Sequence, residues 1–261
     1  MKPTQDFFDH ADKHIRKVLL ELRPTLLKGF GSIEHHLKDD QSVVTEMDIM
    51  VEERLRAAMA EVDPSIGFGG EETGLDPNLA TFWLVDPIDG TEAFTRGLPF
   101  STNMICLIAD HQPVMSVIYN FFTDDYFLAI KGRGASCNGH VIHVSERPLE
   151  RAYVVATGRW HQSRVPNFVS ELRPKVAGLP KLHGSGCENT YIAQGAFDGT
   201  IVAGGKGPWD HVPGMLLIQE AGGRVENWGS NTYDYRDMHI VAGNPVLFDD
   251  LKALTVPLHQ Q

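Results

Sequence analysis

The sequence predicts a layered α/β protein with mixed or antiparallel sheets rather than a doubly wound parallel fold. Three observations carry that reading. Helical and strand-like hydrophobic patterns alternate along the chain. The long stretch NMICLIADHQPVMSVIYN, followed by DDYFLAIKGRGA, is a meander with no helix between its strands, so it is not a series of βαβ units. The apolar alternation in these strands is loose, as expected when both faces of a sheet are covered. At 261 residues the chain can bury roughly 70–75% of its unfolded surface, and needs neither disulfides nor a metal merely to fold.

The elements follow in order. Phe7, Ala11, Ile15, Val18, Leu22 and Leu26 recur at steps of three and four, one helical stripe over residues 4–28. Pro24 is expected to kink or subdivide its last part, and Gly29 and Gly31 to end it. In SVVTEMD, the pair Val43–Val44 forms a turn or short strand that delivers Thr45 and Asp48 to a second helix. Met47, Val51, Leu55 and Ala58 are its buried face, and Pro64 stops it. IGFGGEE and TFWLVDPIDG are strands that end in carboxylates. The meander turns at residues 109–112 and again near residues 123–125.

The second half opens with the strand RAYVVAT and a helix between about Ser163 and Val176. LPKLHGSGCENTYIAQGAFDGTIVA reads as strand, glycine turn, helix and strand. PWDHVPGMLLIQEAGGRVENW is a helix broken at Ala221–Gly222–Gly223 and followed by a strand; MHIVAGN and PVLFDDLKAL are a last strand and helix. No repeat or linker interrupts the chain, so two intimately packed halves are expected, 1–147 and 148–261.

Charge and cysteine usage narrow the function classes. Asp and Glu number 34 against 23 Lys and Arg, a net charge of −11, which argues against a basic groove for a nucleic-acid polymer and against binding to an anionic membrane. An acidic protein that handles an anionic substrate needs metal cations or a focused basic patch. Cys106, Cys137 and Cys187 are isolated and odd in number, which fits thiols in a reducing compartment. The opening MKPTQDFFDHADKH does not have the form of a signal peptide, and no apolar run approaches the ~18 residues of a membrane span. The expected location is the cytoplasm.

The densest polar signal is Glu71, Glu72, Asp86 and Asp89, which abut the apolar runs IGF and FWLV, with Asp210 arriving from the far half in GPWDHVPG. Carboxylates are rarely buried unless paired or bound to a cation. Pro87–Ile88 is a rigid spacer that can aim Asp86 and Asp89 at one point, and Gly90–Thr91 adds a flexible corner and a hydroxyl. Oxygen-rich clusters suit Mg²⁺ or Mn²⁺, whereas Zn²⁺ more often brings His or Cys. Two such ions about 4 Å apart can clamp a phosphate and activate water for in-line attack. The twelve histidines form no competing motif. KGRGA and VAGGKG lack the strand-to-helix context of a nucleotide loop and read as plain turns.

These segments resemble the magnesium-dependent, lithium-sensitive inositol monophosphatase family, whose superfamily includes fructose bisphosphatases and nucleotide 3′-phosphatases. WLVDPIDGTEAF and WDHVPGMLLIQEAGG are similar to its two signature segments, and GGEE and SVVTEMD match further blocks in the right order, from the first helix to about Leu254. The resemblance implies an α-β-α-β-α sandwich and two or three Mg²⁺ ions per site, with Mn²⁺ able to replace them. It also implies a homodimer, and a small phosphorylated metabolite attacked by activated water. By position it implies Glu72, Asp86 and the Ile88 carbonyl for the first metal, and Asp86, Asp89 and Asp210 for the second. Glu72 would also hold a third ion, with Glu71 supporting.

The same resemblance assigns Thr91 and Asp48, with Thr45 beside them, to orienting the water, and the Gly90 and Thr91 N–H groups to the phosphate. It assigns Gly184, Ser185, Gly186, Glu188, Ala203 and Lys206 to the substrate pocket. Ala203 departs from the family pattern. Inositol-preferring members carry there a Glu that contacts inositol hydroxyls, and alanine cannot accept those bonds. Inositol 1-phosphate is the substrate the resemblance implies, with histidinol phosphate and adenosine 3′,5′-bisphosphate as alternatives, and a family member that has lost catalysis as the non-enzyme reading.

Overall fold

The computed structural model describes residues 3–34, 36–37, 43–158, 168–205 and 207–259. Helix α1 (Gln5–Gly29) is capped by the Thr4 hydroxyl and runs unbroken through Pro24. The proline leaves the carbonyl of residue 20 without its helical partner, and Leu20 lies on the exposed side, where water can replace it. The buried stripe is Phe8, Ala11, Ile15, Leu19, Leu22 and Leu26, so Phe7 and Val18 sit at its edge rather than its centre.

Strands β1 (His36–Leu37) and β2 (Val43–Val44) pair antiparallel, and β2 leads directly into α2 (Glu46–Val62). Strands β3 (Gly67–Gly70) and β4 (Phe82–Asp89) follow, then the short helix α3 (Thr91–Thr95) and the meander β5 (Thr102–Ala109), β6 (Gln112–Asn120), β7 (Asp125–Ile130), β8 (Ala135–Cys137) and β9 (His140–Val141). Together β3 to β9 make a seven-stranded sheet in sequence order, parallel only between β3 and β4. The hairpin between β5 and β6 turns on Asp110 and His111, both at positive φ.

The chain continues through β10 (Val154–Gly158), α4 (Phe168–Leu172), α5 (Ser185–Ala193), β11 (Gly199–Ala203), α6 (Val212–Glu220), β12 (Arg224–Asn227), β13 (His239–Gly243) and α7 (Phe248–His259). The second sheet has the order β10-β11-β13-β12, with only β10 and β11 parallel. The start of the helix expected near Ser163 lies outside the described residues. Residues 179–182 form no strand, because the Leu182 N–H is taken by the Glu188 carboxylate instead of a neighbouring strand.

Burial defines five layers. Ile15, Leu22, Val51 and Leu55 of α1 and α2 pack on Trp83, Val85 and Ile105 of the large sheet. On its other face Met104, Ile118 and Phe127 meet Ile192 of α5 and Met215 and Ile218 of α6. The same helices meet Val202, Val225 and Ile240 of the small sheet. The outer face of that sheet, through Val154, Ile201 and Val241, is covered by Phe168 of α4 and Phe248 and Leu251 of α7. The order is helix, sheet, helix, sheet, helix.

Candidate active site

The site forms where β3 ends beside the middle of β4. Their parallel register sets Gly70 beside Val85, and the Glu71 N–H donates to the Val85 carbonyl at 3.1 Å, so Glu71 lies level with Asp86. Alternation along β4 puts Asp86 on the face of Phe82 and Leu84, where Trp209 and Val212 pack, and this brings in Asp210 from the 3₁₀ turn Pro208–Asp210. Carboxylate oxygens of Glu71, Asp86 and Asp210 all lie within 4.8 Å of one another. This cluster takes Glu71 where the sequence pointed to Glu72. The side chains of adjacent residues diverge, and it is Glu71 that continues the strand beside Asp86.

Three carboxylates this close, one of them fully enclosed, suit a divalent cation. Asp86 is buried, and its Oδ1 has no hydrogen-bond partner among the described residues. Burial pushes its carboxyl well above the usual range, reinforced by the charges of Glu71, Asp89, Asp210 and Asp48. A bound cation would offset that repulsion and engage the orphaned oxygen, so the residues present fit the ion expected here.

Asp89 is buried beside the cluster but faces α5. It accepts the Ser185 N–H at 3.0 Å, the Ser185 hydroxyl at 2.7 Å and the Gly186 N–H at 2.8 Å. Burial lifts its carboxyl to about 7 against the lowering effect of these bonds. Gly184, Ser185 and Gly186, expected to shape a substrate pocket, thus form the junction that ties α5 to the end of β4. Ser185 also reaches the Asp210 carbonyl.

Asp48 and Thr91 meet across the site. Thr45 caps α2 in a reciprocal capping box: its hydroxyl accepts the Met47 N–H, while its own N–H and hydroxyl donate to Asp48 Oδ2 at 2.8 and 2.6 Å. The other oxygen, Asp48 Oδ1, lies 3.1 Å from the Thr91 hydroxyl, which also reaches the Ile88 carbonyl at 2.9 Å. Burial raises the Asp48 carboxyl to about 6. Gly90 turns the chain at φ +79°, and a Cβ there would stand 3.0 Å from the carbonyl oxygens of His183 and Phe100, so only glycine fits.

The remaining expectations separate. Ala203 packs in the outer core with Ile201 and Val241, and Lys206 lies outside the described residues. Glu188 is buried, accepts the Leu182 N–H at 2.9 Å, and is lifted to about 7 by burial. Sequence reasoning missed Glu52, which is 1% exposed and holds the turn after Glu71. Its signal was present: Asp48 and Glu52 are four apart and share one helical face.

A layered α/β scaffold with a carboxylate cluster at its strand ends, facing a hydroxyl–carboxylate pair, defines a metal-dependent hydrolase site. The sequence model of the inositol monophosphatase family matches residues 5–260. An inositol-1-monophosphatase of Mesorhizobium japonicum is 32% identical over 245 residues, covering 90% of this chain and 92% of the relative. The Nus factor SuhB of Pseudomonas aeruginosa is 31% identical, covering 84% and 85%. Among solved structures, the Thermotoga maritima IMPase superposes with a TM-score of 0.85 at 23% identity, covering 98% of this chain and 99% of that one, and so agrees in fold. The chain belongs to the inositol monophosphatase family and is a Mg²⁺-dependent phosphomonoesterase of that superfamily.

Proposed function

We propose that the protein hydrolyses inositol 1-phosphate, using two Mg²⁺ ions held by Glu71, Asp86, the Ile88 carbonyl, Asp89 and Asp210, with Asp86 shared. The observation that carries this reading is the Glu71–Asp86–Asp210 cluster facing the Thr91–Asp48 pair. The name of the Mesorhizobium japonicum relative supports the substrate. When bound, the ions offset phosphoryl charge and acidify water.

The chain's own groups do the rest. The Thr91 hydroxyl has one proton for two acceptors. Were the Ile88 carbonyl to hold an ion it would accept poorly, so the proton would turn to Asp48 Oδ1 and leave the Thr91 lone pairs to orient the attacking water. Asp48, at about 6, is ionised at neutral pH and can take up that proton. The Gly90 and Thr91 N–H groups hold the phosphate. Glu72 is proposed at the rim as a ligand for a third, weaker ion, and Mn²⁺ as a substitute metal. The same reading makes the protein a cytoplasmic, lithium-sensitive homodimer without a nucleic-acid polymer partner. Among the described residues no helix is long and apolar enough to cross a membrane.

A second reading is a pocket that accepts histidinol phosphate or adenosine 3′,5′-bisphosphate: Ala203, where inositol-preferring members carry a Glu, packs in the outer core and offers no acceptor for inositol hydroxyls. Phosphate release from inositol 1-phosphate, histidinol phosphate, adenosine 3′,5′-bisphosphate, fructose 1,6-bisphosphate and glycerol 2-phosphate separates the two. Inositol 1-phosphate standing well above the rest supports the first; equal turnover across the panel removes it.

A further inference from the structure

The turn that presents Glu71 is held from below by a second buried carboxylate. Glu52 lies one helical turn after Asp48 on α2 and is 1% exposed. Its Oε2 accepts the Glu72 N–H at 3.0 Å and its Oε1 accepts the Thr73 N–H at 3.0 Å. With the Glu71 N–H on the Val85 carbonyl and the Gly74 N–H on the Gly70 carbonyl, four successive amides of this turn are fixed, two of them by one side chain. Among the described residues its ion-pair partner is Arg56, at 4.0 Å from Oε1, whose side chain is half exposed. A buried carboxylate paired so weakly is costly unless its hydrogen bonds serve the fold locally. Gly70 is shaped to admit it: a Cβ at residue 70 would stand 2.3 Å from Glu52 Oε2.

We propose that Glu52 is a positioning residue for metal binding. Its carboxylate clamps the Glu72 and Thr73 amides and so aims the Glu71 side chain at Asp86 and Asp210. Helix α2 would thereby serve the site twice, orienting Thr91 through Asp48 and Glu71 through Glu52. The inference rests on the reading of Glu71, Asp86 and Asp210 as a divalent-metal site. Carboxylates that support a ligand's geometry from outside the coordination sphere typically contribute 10–100-fold to metal affinity.

The test is Mn²⁺ binding by titration calorimetry on the full chain, wild type against Glu52→Asp, Glu52→Gln and Glu52→Ala, with thermal midpoints taken on the same samples. Glu52→Asp keeps the charge but is one methylene too short to reach both amides. It is expected to weaken Mn²⁺ binding about 10-fold or more, close to Glu52→Ala. Glu52→Gln keeps the length and one acceptor oxygen and should recover part of that loss. A role in charge alone predicts the reverse order, with Asp near wild type and Gln impaired, and would overturn the proposal. So would unchanged affinity in all three. If Glu52→Ala does not fold, the Asp and Gln pair still decides. Wild-type protein that fails to bind Mn²⁺ would instead overturn the metal site itself.

Discussion

The two walls of the site are built differently. On one wall, Asp48 and Thr91 lie in the first turns of α2 and α3, Asp86 lies within β4 and Glu71 directly follows β3, each fixed by a cap, a ladder or a register. On the other wall, residues 178–184, 204–205 and 207–211 carry little regular structure apart from one 3₁₀ turn; Glu188 holds the Leu182 amide of the loop before α5, and Ser185 and Gly186 at the start of α5 tether Asp89. The proposed reading thus puts the chemistry on regular elements and leaves the choice of substrate to connecting chain. Regular elements tolerate few residue types at a strand end or an N-cap, whereas loops can vary without unfolding the protein.

The largest effect that could break this contrast is at Asp86. Asp86→Asn removes a charge from the centre of the cluster, and turnover should fall at least about 100-fold with folding nearly intact. Near-normal turnover with saturating metal would show that the cluster is not the reaction centre. A sharper probe concerns the two adjacent glutamates. Glu71→Gln should raise the half-saturating Mg²⁺ concentration about 10-fold or more, and Glu72→Gln much less; a metal titration of activity in the two variants checks the order.

Acidity offers a third probe. Asp48 and Asp89 lie at about 6 and about 7, above the ordinary carboxylate value, so the folded state favours their protonated forms. Their contribution to metal-free stability is greatest below the unfolded pKa and is lost as pH rises from about 4 towards 7. Metal binds the ionised carboxylates, so the rise in thermal midpoint on adding Mg²⁺ should be larger at pH 7.5 than at pH 5.5. An equal rise at both values would contradict the link between burial and binding.

The smallest effect is expected on the second wall. Glu188, at about 7, carries the same burden without a place in the acid cluster. Glu188→Gln keeps an acceptor for the Leu182 amide, and should raise the thermal midpoint at pH 8 by a few degrees, ~1 kcal/mol, while leaving it nearly unchanged at pH 5. The opposite pH dependence would show that the ionised carboxylate holds the loop.

The same contrast explains what could be read from the sequence. The layering, the meander and the two helices before β3 follow from periodicity and turn residues; Asp86, Thr91 and Asp210 stand out by their places in two signature segments, and Asp48 by its place in SVVTEMD. Pro24 leaves α1 continuous, since water can replace the lost partner of the carbonyl of exposed Leu20. The choice between Glu71 and Glu72 was illegible because GGEE does not reveal where the strand stops; it depends on the parallel register with β4 and on Glu52, 20 residues away. LPKL has an apolar pattern, yet the Glu188 carboxylate claims its amide. Ala203 ends a strand whose alternation directs it to the outer core, which spacing from Asp210 alone could not convey.

Phosphate release from inositol 1-phosphate by the wild-type protein, with Mg²⁺ and with EDTA, and alongside Asp86→Asn, tests the central claim most directly. The arrangement of acids predicts release with Mg²⁺ alone and its loss in the variant. Equal release in EDTA, or in the variant at saturating Mg²⁺, would contradict a reaction centred on the Glu71–Asp86–Asp210 cluster.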